Sequence, residues 1–246
     1  MNQYCRVECL NTIPQKKVTE ALEDTIRSCP ECSVKKNVKF DSNLCIKCRA
    51  KNLAIVRYAE SNIPVAYWNL EMDSAFVGDK VLFEKYKDVT LDLYKSYRNG
   101  VALCFAGSHG VGKSSCVTNI LKRACEKGFS CMYVNLGDIV AAMLNSQSED
   151  KALARKELLT VDFLVIDEFD PRYMSNDKSS DLFGKILEEV FRTRSQNKLP
   201  IFLCTNSPNV VESFTGSIKQ SITSLLSTVK MIPVLGRDFR VLNKVK

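Results

Sequence analysis

With 246 residues, 45% of them hydrophobic, 26% charged and 9% aromatic, the chain holds enough apolar mass for one full-sized core and a small appendage. That excludes a wholly disordered, collagen-like or coiled-coil protein. Thirty-five basic residues against 28 acidic ones give a formal charge of +7, a mild excess that suits a nucleic-acid or nucleotide partner and equally a solvated basic surface.

No apolar run approaches the roughly 18 residues that cross a bilayer. The first twenty residues carry Arg6, Glu8, Lys16, Lys17 and Glu20 and lack the apolar block of a secretory signal. Eleven cysteines, an odd number, argue against a disulfide framework. Cys104, Cys116, Cys125, Cys131 and Cys204 stand in apolar stretches and read as small core residues of a reducing, cytoplasmic compartment. Cys5 and Cys9 receive no role.

In chain order, Val18, Ala21, Leu22, Thr25 and Ile26 mark one face of a short helix. Then Cys29 and Cys32, twelve residues, and Cys45 and Cys48 spell C-x2-C-x12-C-x2-C. Two such turns present four thiolates to one tetrahedral Zn²⁺, with no position left open, so the site is structural. So small a segment lacks a core of its own, and metal binding would supply much of its folding free energy. Lys35, Lys36, Lys39, Lys47, Arg49 and Lys51 surround it. They suit DNA phosphates, compensation of the thiolates, or plain solvation. Residues 49–60 read as a helix, and Ser61-Asn62-Ile63-Pro64 and Gly78-Asp79 interrupt the pattern.

Leu82, Tyr86, Val89, Leu93 and Tyr97 predict one long amphipathic helix closed at Asn99-Gly100. Apolar strands are expected at 101–107, 131–136, 161–168, 201–206 and 230–235. Helices are expected after Lys113, over 138–145 and 150–159, and around Phe183–Phe191 and Val211–Leu225. Continuously apolar strands alternating with helices predict an α/β fold, a parallel sheet covered on both faces. Pro233 argues that the last strand lies at an edge or ends early.

The first strand runs into GSHGVGKS, a complete G-x-x-x-x-G-K-S phosphate-binding loop between a strand and a helix. Gly107, Gly110 and Gly112 let the backbone N–H groups of Ser108, His109, Val111 and their neighbours turn inward around a phosphate. The helix start adds its positive end, through Lys113, Ser114 and Ser115. Lys113 would reach the β- and γ-phosphates, and the Ser114 hydroxyl would bind Mg²⁺. His109, the one histidine, sits at the loop tip in a solvent-facing or packing role. With no other histidine, Ser–His–Asp and Cys–His hydrolase chemistry loses its support. Asp167 and Glu168 end an apolar strand, where ligands sit in such sheets. Asp167 is placed to hold Mg²⁺, Glu168 to orient or deprotonate a water. Asn206, after IFLCT, is a candidate sensor of the γ-phosphate, or else a cap on the turn before Ser207-Pro208.

GSHGVGKS, GFSCMYVNLGDIVAAM, VDFLVIDE and LPIFLCTN, with IPVAYWNLEM before and LGRDFR after them, resemble the DnaC/DnaI/IstB group of AAA+ ATPases over about residues 63–240. The resemblance implies a P-loop AAA+ sheet preceded by a small DnaI-like zinc-binding domain. It divides the chain into a partner-docking domain at 1–60, a linker at 61–78 and an ATPase domain at 79–246. It implies ATP and Mg²⁺ as cofactors beside Zn²⁺, and ATP-dependent loading of a replicative hexameric helicase onto single-stranded DNA. Self-assembly on the helicase would follow, with no membrane involved, in a bacterial cell or in a host cytoplasm if the chain is viral. The resemblance also turns the basic surround of the cysteines toward protein docking. An IstB-like transposition accessory ATPase is the alternative. Ser217 and Ser221 occupy the places of the group's two arginines, one of which serves as an arginine finger. That departure leaves a slow ATPase, or a nucleotide-binding adaptor, as the third reading. Arg192, Arg194, Arg237 and Arg240 are the substitutes at hand.

Overall fold

Strands hidden on both faces organise the molecule, because each apolar run must be covered twice. The computed structural model describes residues 10, 13–34, 44–73, 79–145, 147–170, 177–207, 209–210, 219, 223–224 and 226–239. In chain order, α1 spans Gln15–Arg27, α2 Ile46–Glu60, a 3-10 turn Val65–Tyr67, α3 Lys80–Leu91 and α4 Leu93–Arg98. There follow β1 Ala102–Gly107, α5 Lys113–Glu126, β2 Cys131–Asn135, α6 Leu136–Asn145, α7 Ser148–Thr160, β3 Phe163–Asp167, α8 Asp177–Gln196, β4 Ile201–Thr205 and β5 Lys230–Val234. The strands form one sheet in the order β2-β3-β4-β1-β5, parallel throughout. This is the expected α/β architecture.

Alternation along the strands sorts their side chains onto two faces. Cys104, Met132, Val134, Leu164, Ile166 and Leu203 pack with Ile139, Leu158 and Leu187 of α6, α7 and α8. Phe105, Tyr133, Phe163, Val165, Phe202 and Cys204 pack with Leu82 of α3 and Ile120 and Leu121 of α5. β5 pairs with β1 alone and carries Pro233 at the expected edge. Cys104, Cys116, Cys125, Cys131 and Cys204 are free thiols buried in these layers. Among the described residues no helix is long and apolar enough to cross a membrane.

The single helix expected over 82–97 is two. Asp92 leaves helical geometry at φ −139°, ψ 86°, and its Oδ1 accepts the Lys95 N–H at 2.9 Å. The side chain thus caps a new helix and competes with the old one. Ser96 Oγ donates to the Val89 carbonyl across the break. The strand expected over 131–136 stops at Asn135, and Leu136 already opens α6. The strand expected over 161–168 is shorter at both ends. Val161 caps α7, and Glu168 turns to φ 49°. The helix expected around Val211–Leu225 lies mostly outside the described residues.

The α1–α2 hairpin is fastened to the sheet. Val18, Ile55, Tyr58, Ala59, Ile63 and Trp68 are buried in the same cluster as Leu121 and Phe163. Burial of Ile55, Tyr58, Ile63 and Trp68 contributes on the order of 6–12 kcal/mol before chain entropy. Hydrogen bonds of about 1 kcal/mol each then set the register. Arg57 Nη1 donates to the Cys125 carbonyl at 2.9 Å and the Tyr58 hydroxyl to Glu126 Oε1 at 2.5 Å. Residues expected as a linker are part of this packing. Trp68 Nε1 donates to the Ile63 carbonyl, and the buried Lys122 ammonium donates to the Tyr67 and Leu70 carbonyls and to Glu71.

Arg194 is a second buried cation. Its side chain is fully enclosed, and its guanidinium donates to the carbonyls of Leu158, Asp162 and Pro200 at 3.0, 3.3 and 2.6 Å. It thereby ties the end of α7 to the starts of β3 and β4. Burial pulls its pKa down, with the Asp162 carboxylate opposing. Replacing Arg194 by Ala strips three carbonyls of a donor at once. The expected loss is about 3 kcal/mol, read as a lower urea midpoint. An unchanged midpoint would mean that these carbonyls find other donors.

Candidate functional site

β1 delivers the chain to Gly107 at the carboxyl edge of the sheet. A Cβ there would stand 2.2 Å from the Val234 carbonyl of β5, so glycine is required by close packing. Gly110 and Gly112 take φ 74° and 97°, a region that side-chain-bearing residues rarely occupy. They curl the backbone so that α5 opens at Lys113 with its first N–H groups facing the loop. Val111 is buried and anchors the loop, whereas Ser108 and His109 are exposed at its tip. The lone histidine is thus solvent-facing. Ser114 and Ser115 are half-buried in the first turn of α5.

The strand order puts β4 beside β1 and β3 beside β4. Their carboxyl ends therefore bring together residues far apart in the chain. Lys113 Nζ donates to Asn206 Oδ1 at 2.9 Å, and to the Gly107 and Ser108 carbonyls at 2.8 and 2.7 Å. Asn206 is thus in contact with the loop lysine. Asp167 is buried at the end of β3, and its Oδ1 accepts the Glu168 N–H at 2.7 Å. Glu168 is exposed at φ 49°, turned out of the strand toward solvent.

Two partners escaped sequence reasoning. The Tyr133 hydroxyl, from β2, donates to Asp167 Oδ2 at 2.6 Å. Burial first, then the Asp167 charge, push its pKa up, so it remains a donor. Its only sequence signal is a polar tip within an apolar strand. Asp238 is the other. A Cβ on Gly110 would fall 1.8 Å from Asp238 Oδ1, and the Phe239 N–H donates to the Gly110 carbonyl at 3.0 Å. The segment after β5 therefore lies against the loop.

The donor set fits a magnesium nucleotide. An ammonium, a helix start and two positive-φ glycines belong to one loop, and a carboxylate ends β3, two strands away. Among the arginine-finger substitutes, Arg194 is excluded by its enclosure. Arg192 is exposed and pairs with Glu188 at 2.6 Å, and Arg237 is exposed. Ser217, Ser221 and Arg240 lie outside the described residues.

Cys29, Cys32, Cys45 and Cys48 converge, with all four sulfurs within 4.8 Å of one another. Cys29 Sγ and Cys45 Sγ are 3.7 Å apart, close to the ~3.8 Å edge of a tetrahedron with Zn–S bonds of about 2.3 Å. Main-chain N–H groups point at the sulfurs, Cys45 N–H at Cys32 and Cys48 N–H at Cys45. The Cys29 thiol is drawn down to about 7, chiefly by the Cys32 N–H. Burial and the surrounding thiols push Cys48 up. Four thiolates this close repel one another, and a divalent cation relieves that repulsion. The cluster is compatible with zinc. Lys47, Arg49 and Lys51 beside it are exposed; Lys35, Lys36, Lys39, Cys5 and Cys9 lie outside the described residues.

Residues 87–206 match the family of IstB-like ATP binding proteins. No curated protein sequence matches the chain. Among solved structures, DnaI superposes with a TM-score of 0.59 at 15% identity, over 71% of this chain and 95% of that one. The DnaC helicase loader gives 0.52 at 16%, over 69% and 98%. The replication initiator DnaA bound to AMPPCP and single-stranded DNA gives 0.51 at 17%, over 64% and 46%. The chain spans about half the length of the replication-initiator chains it matches. Residues 87–206 are thus similar to IstB-like ATP binding proteins, and the chain shares its parallel-sheet fold with DnaI, DnaC and DnaA.

Proposed function

We propose that this protein is an ATP-dependent loader of a replicative hexameric helicase onto single-stranded DNA, acting in the cytoplasm. One observation carries the proposal: a four-cysteine arm is packed onto a P-loop module, in a chain that superposes on nearly the whole of the DnaI and DnaC structures. Zn²⁺ held by Cys29, Cys32, Cys45 and Cys48 folds the arm, and the arm docks the helicase. The match to IstB-like proteins over residues 87–206 supports a second reading, an accessory ATPase in transposition.

The mechanism follows from the side chains. The N–H groups of Gly107 to Ser115 surround the phosphates, and Lys113 exchanges its carbonyl partners for phosphate oxygens. Ser114 and Asp167 hold Mg²⁺, which when bound neutralises charge on the phosphates. Glu168, one residue beyond the end of β3, orients the attacking water and takes its proton. Asn206 lies against Lys113 and so responds when a γ-phosphate takes the ammonium away. A finger arginine contributes on the order of 10³–10⁵ in rate where one completes such a site. With serines at 217 and 221, the isolated protein turns over slowly, and a partner supplies the missing charge.

Two tests separate these parts. Protein purified without added zinc should carry one Zn²⁺ per chain. Cys29→Ser should lose the metal and the hydrogen-exchange protection of the arm, while nucleotide binding at Lys113 persists. A metal-free chain with a protected arm would reject the zinc site. In a loading assay with circular single-stranded DNA and a hexameric helicase, the wild type with ATP should leave helicase on the circle. Lys113→Ala should weaken ATP binding by about 30–100-fold and abolish loading. Glu168→Gln should keep binding and lower turnover by about 10²-fold or more. A pull-down from cells that recovers a transposase but no helicase would favour the second reading.

A further inference from the structure

Asp167 cannot set its own orientation. It ends β3 with one oxygen on the Glu168 N–H, a contact that moves with the same strand end. The second oxygen is fixed from another strand. In the sheet register Tyr133 pairs with Val165, and Asn135 with Asp167. Tyr133 is therefore the diagonal neighbour of Asp167, within reach of a long aromatic side chain on the same face. Its hydroxyl meets Oδ2 at 2.6 Å. The ring is buried in the apolar cluster with Phe163, Val165 and Cys204, where phenylalanine would pack equally well, so among the described residues the hydroxyl answers to the carboxylate.

Tyr133 is in turn held by the exit of α2. Its N–H donates to the Ser61 carbonyl at 2.8 Å, and its carbonyl accepts from Asn62 Nδ2 at 3.1 Å. Asn62 is buried at φ 55°, a conformation that Asn and Gly adopt more readily than other residues. The helix that begins at the cysteine cluster thus ends by gripping, on both sides, the residue that orients Asp167.

We propose that Tyr133 is a positioning residue for the magnesium-binding carboxylate Asp167, held in place by the exit of the arm helix α2 through Ser61 and Asn62. The inference rests on the nucleotide-binding reading above. A hydrogen bond to a metal-binding carboxylate selects which lone pair faces the cation, and its loss typically costs 10–100-fold in metal affinity.

The test titrates Mg²⁺ against a fluorescent ATP analogue on the full chain, for wild type, Tyr133→Phe and Asn62→Gly. Tyr133→Phe should bind the analogue without Mg²⁺ as wild type does, within about twofold, and keep its thermal midpoint within a few degrees. Its half-saturating Mg²⁺ should rise by about 10–100-fold. Asn62→Gly keeps the backbone accessible and removes the amide, and should shift Mg²⁺ dependence in the same direction by a smaller factor. A Tyr133→Phe curve that overlays wild type overturns the positioning role. An unchanged curve for Asn62→Gly alone overturns the part assigned to α2. A wild type that binds no analogue with or without Mg²⁺ overturns the nucleotide reading itself.

Discussion

The ammonium of Lys113 is the point around which the candidate site is arranged. It is a buried cation at the carboxyl edge of a parallel sheet, in contact with two loop carbonyls and with Asn206. A positive charge in such a place is costly unless oxygens surround it. The strand order supplies them, since β4 lies beside β1 and carries Asn206 to the loop. The positive-φ glycines at 110 and 112 supply the rest by folding the loop back over the side chain. The same geometry makes the position receptive to anions, because phosphate oxygens replace carbonyl oxygens at a cation already in place.

The second constraint is size. Among the described residues, the cluster around the cysteines holds Cys32, Leu44 and Cys48 with Ile26, Cys29 and Cys45 against them, a small core to fold by itself. The arm meets this in two ways, with four thiols arranged for a metal and with α2 buried against α5. Because the docking face of α2 is also part of the module's core, the arm and the ATP-binding region share one packing layer. Movement of α2 would disturb residues next to the loop helix, a physical route by which partner binding and nucleotide state would influence each other.

Much of this was legible in the sequence for definite reasons. The loop and the cysteine spacing are short-range patterns whose chemistry fixes residue type and order. Strands β1 to β4 declared themselves because both their faces are covered. Contacts made by single side chains across the fold were not legible. Asp92 broke a helix whose apolar periodicity ran on unbroken, since capping competes locally with a pattern that reports only burial. Tyr133 reaches Asp167 across a strand pairing, and Asp238 reaches Gly110 across more than a hundred residues. Neither pairing has a sequence spacing to reveal it. Arg194 stood in the sequence as one of four substitutes for an arginine finger, and only the packing of α7, β3 and β4 around it gives it a structural role.

The central claim is that the Lys113 ammonium, held by oxygens of its own chain, is the receptor for nucleotide phosphate. A crystal structure of the protein with AMPPCP and Mg²⁺ tests it most directly. The account predicts Lys113 Nζ on phosphate oxygens and released from the Gly107 and Ser108 carbonyls. It predicts the metal beside Ser114 and Asp167, with the Tyr133 hydroxyl still on Asp167 Oδ2. A nucleotide bound elsewhere, or a Lys113 that keeps its carbonyl partners with the nucleotide in place, would contradict it.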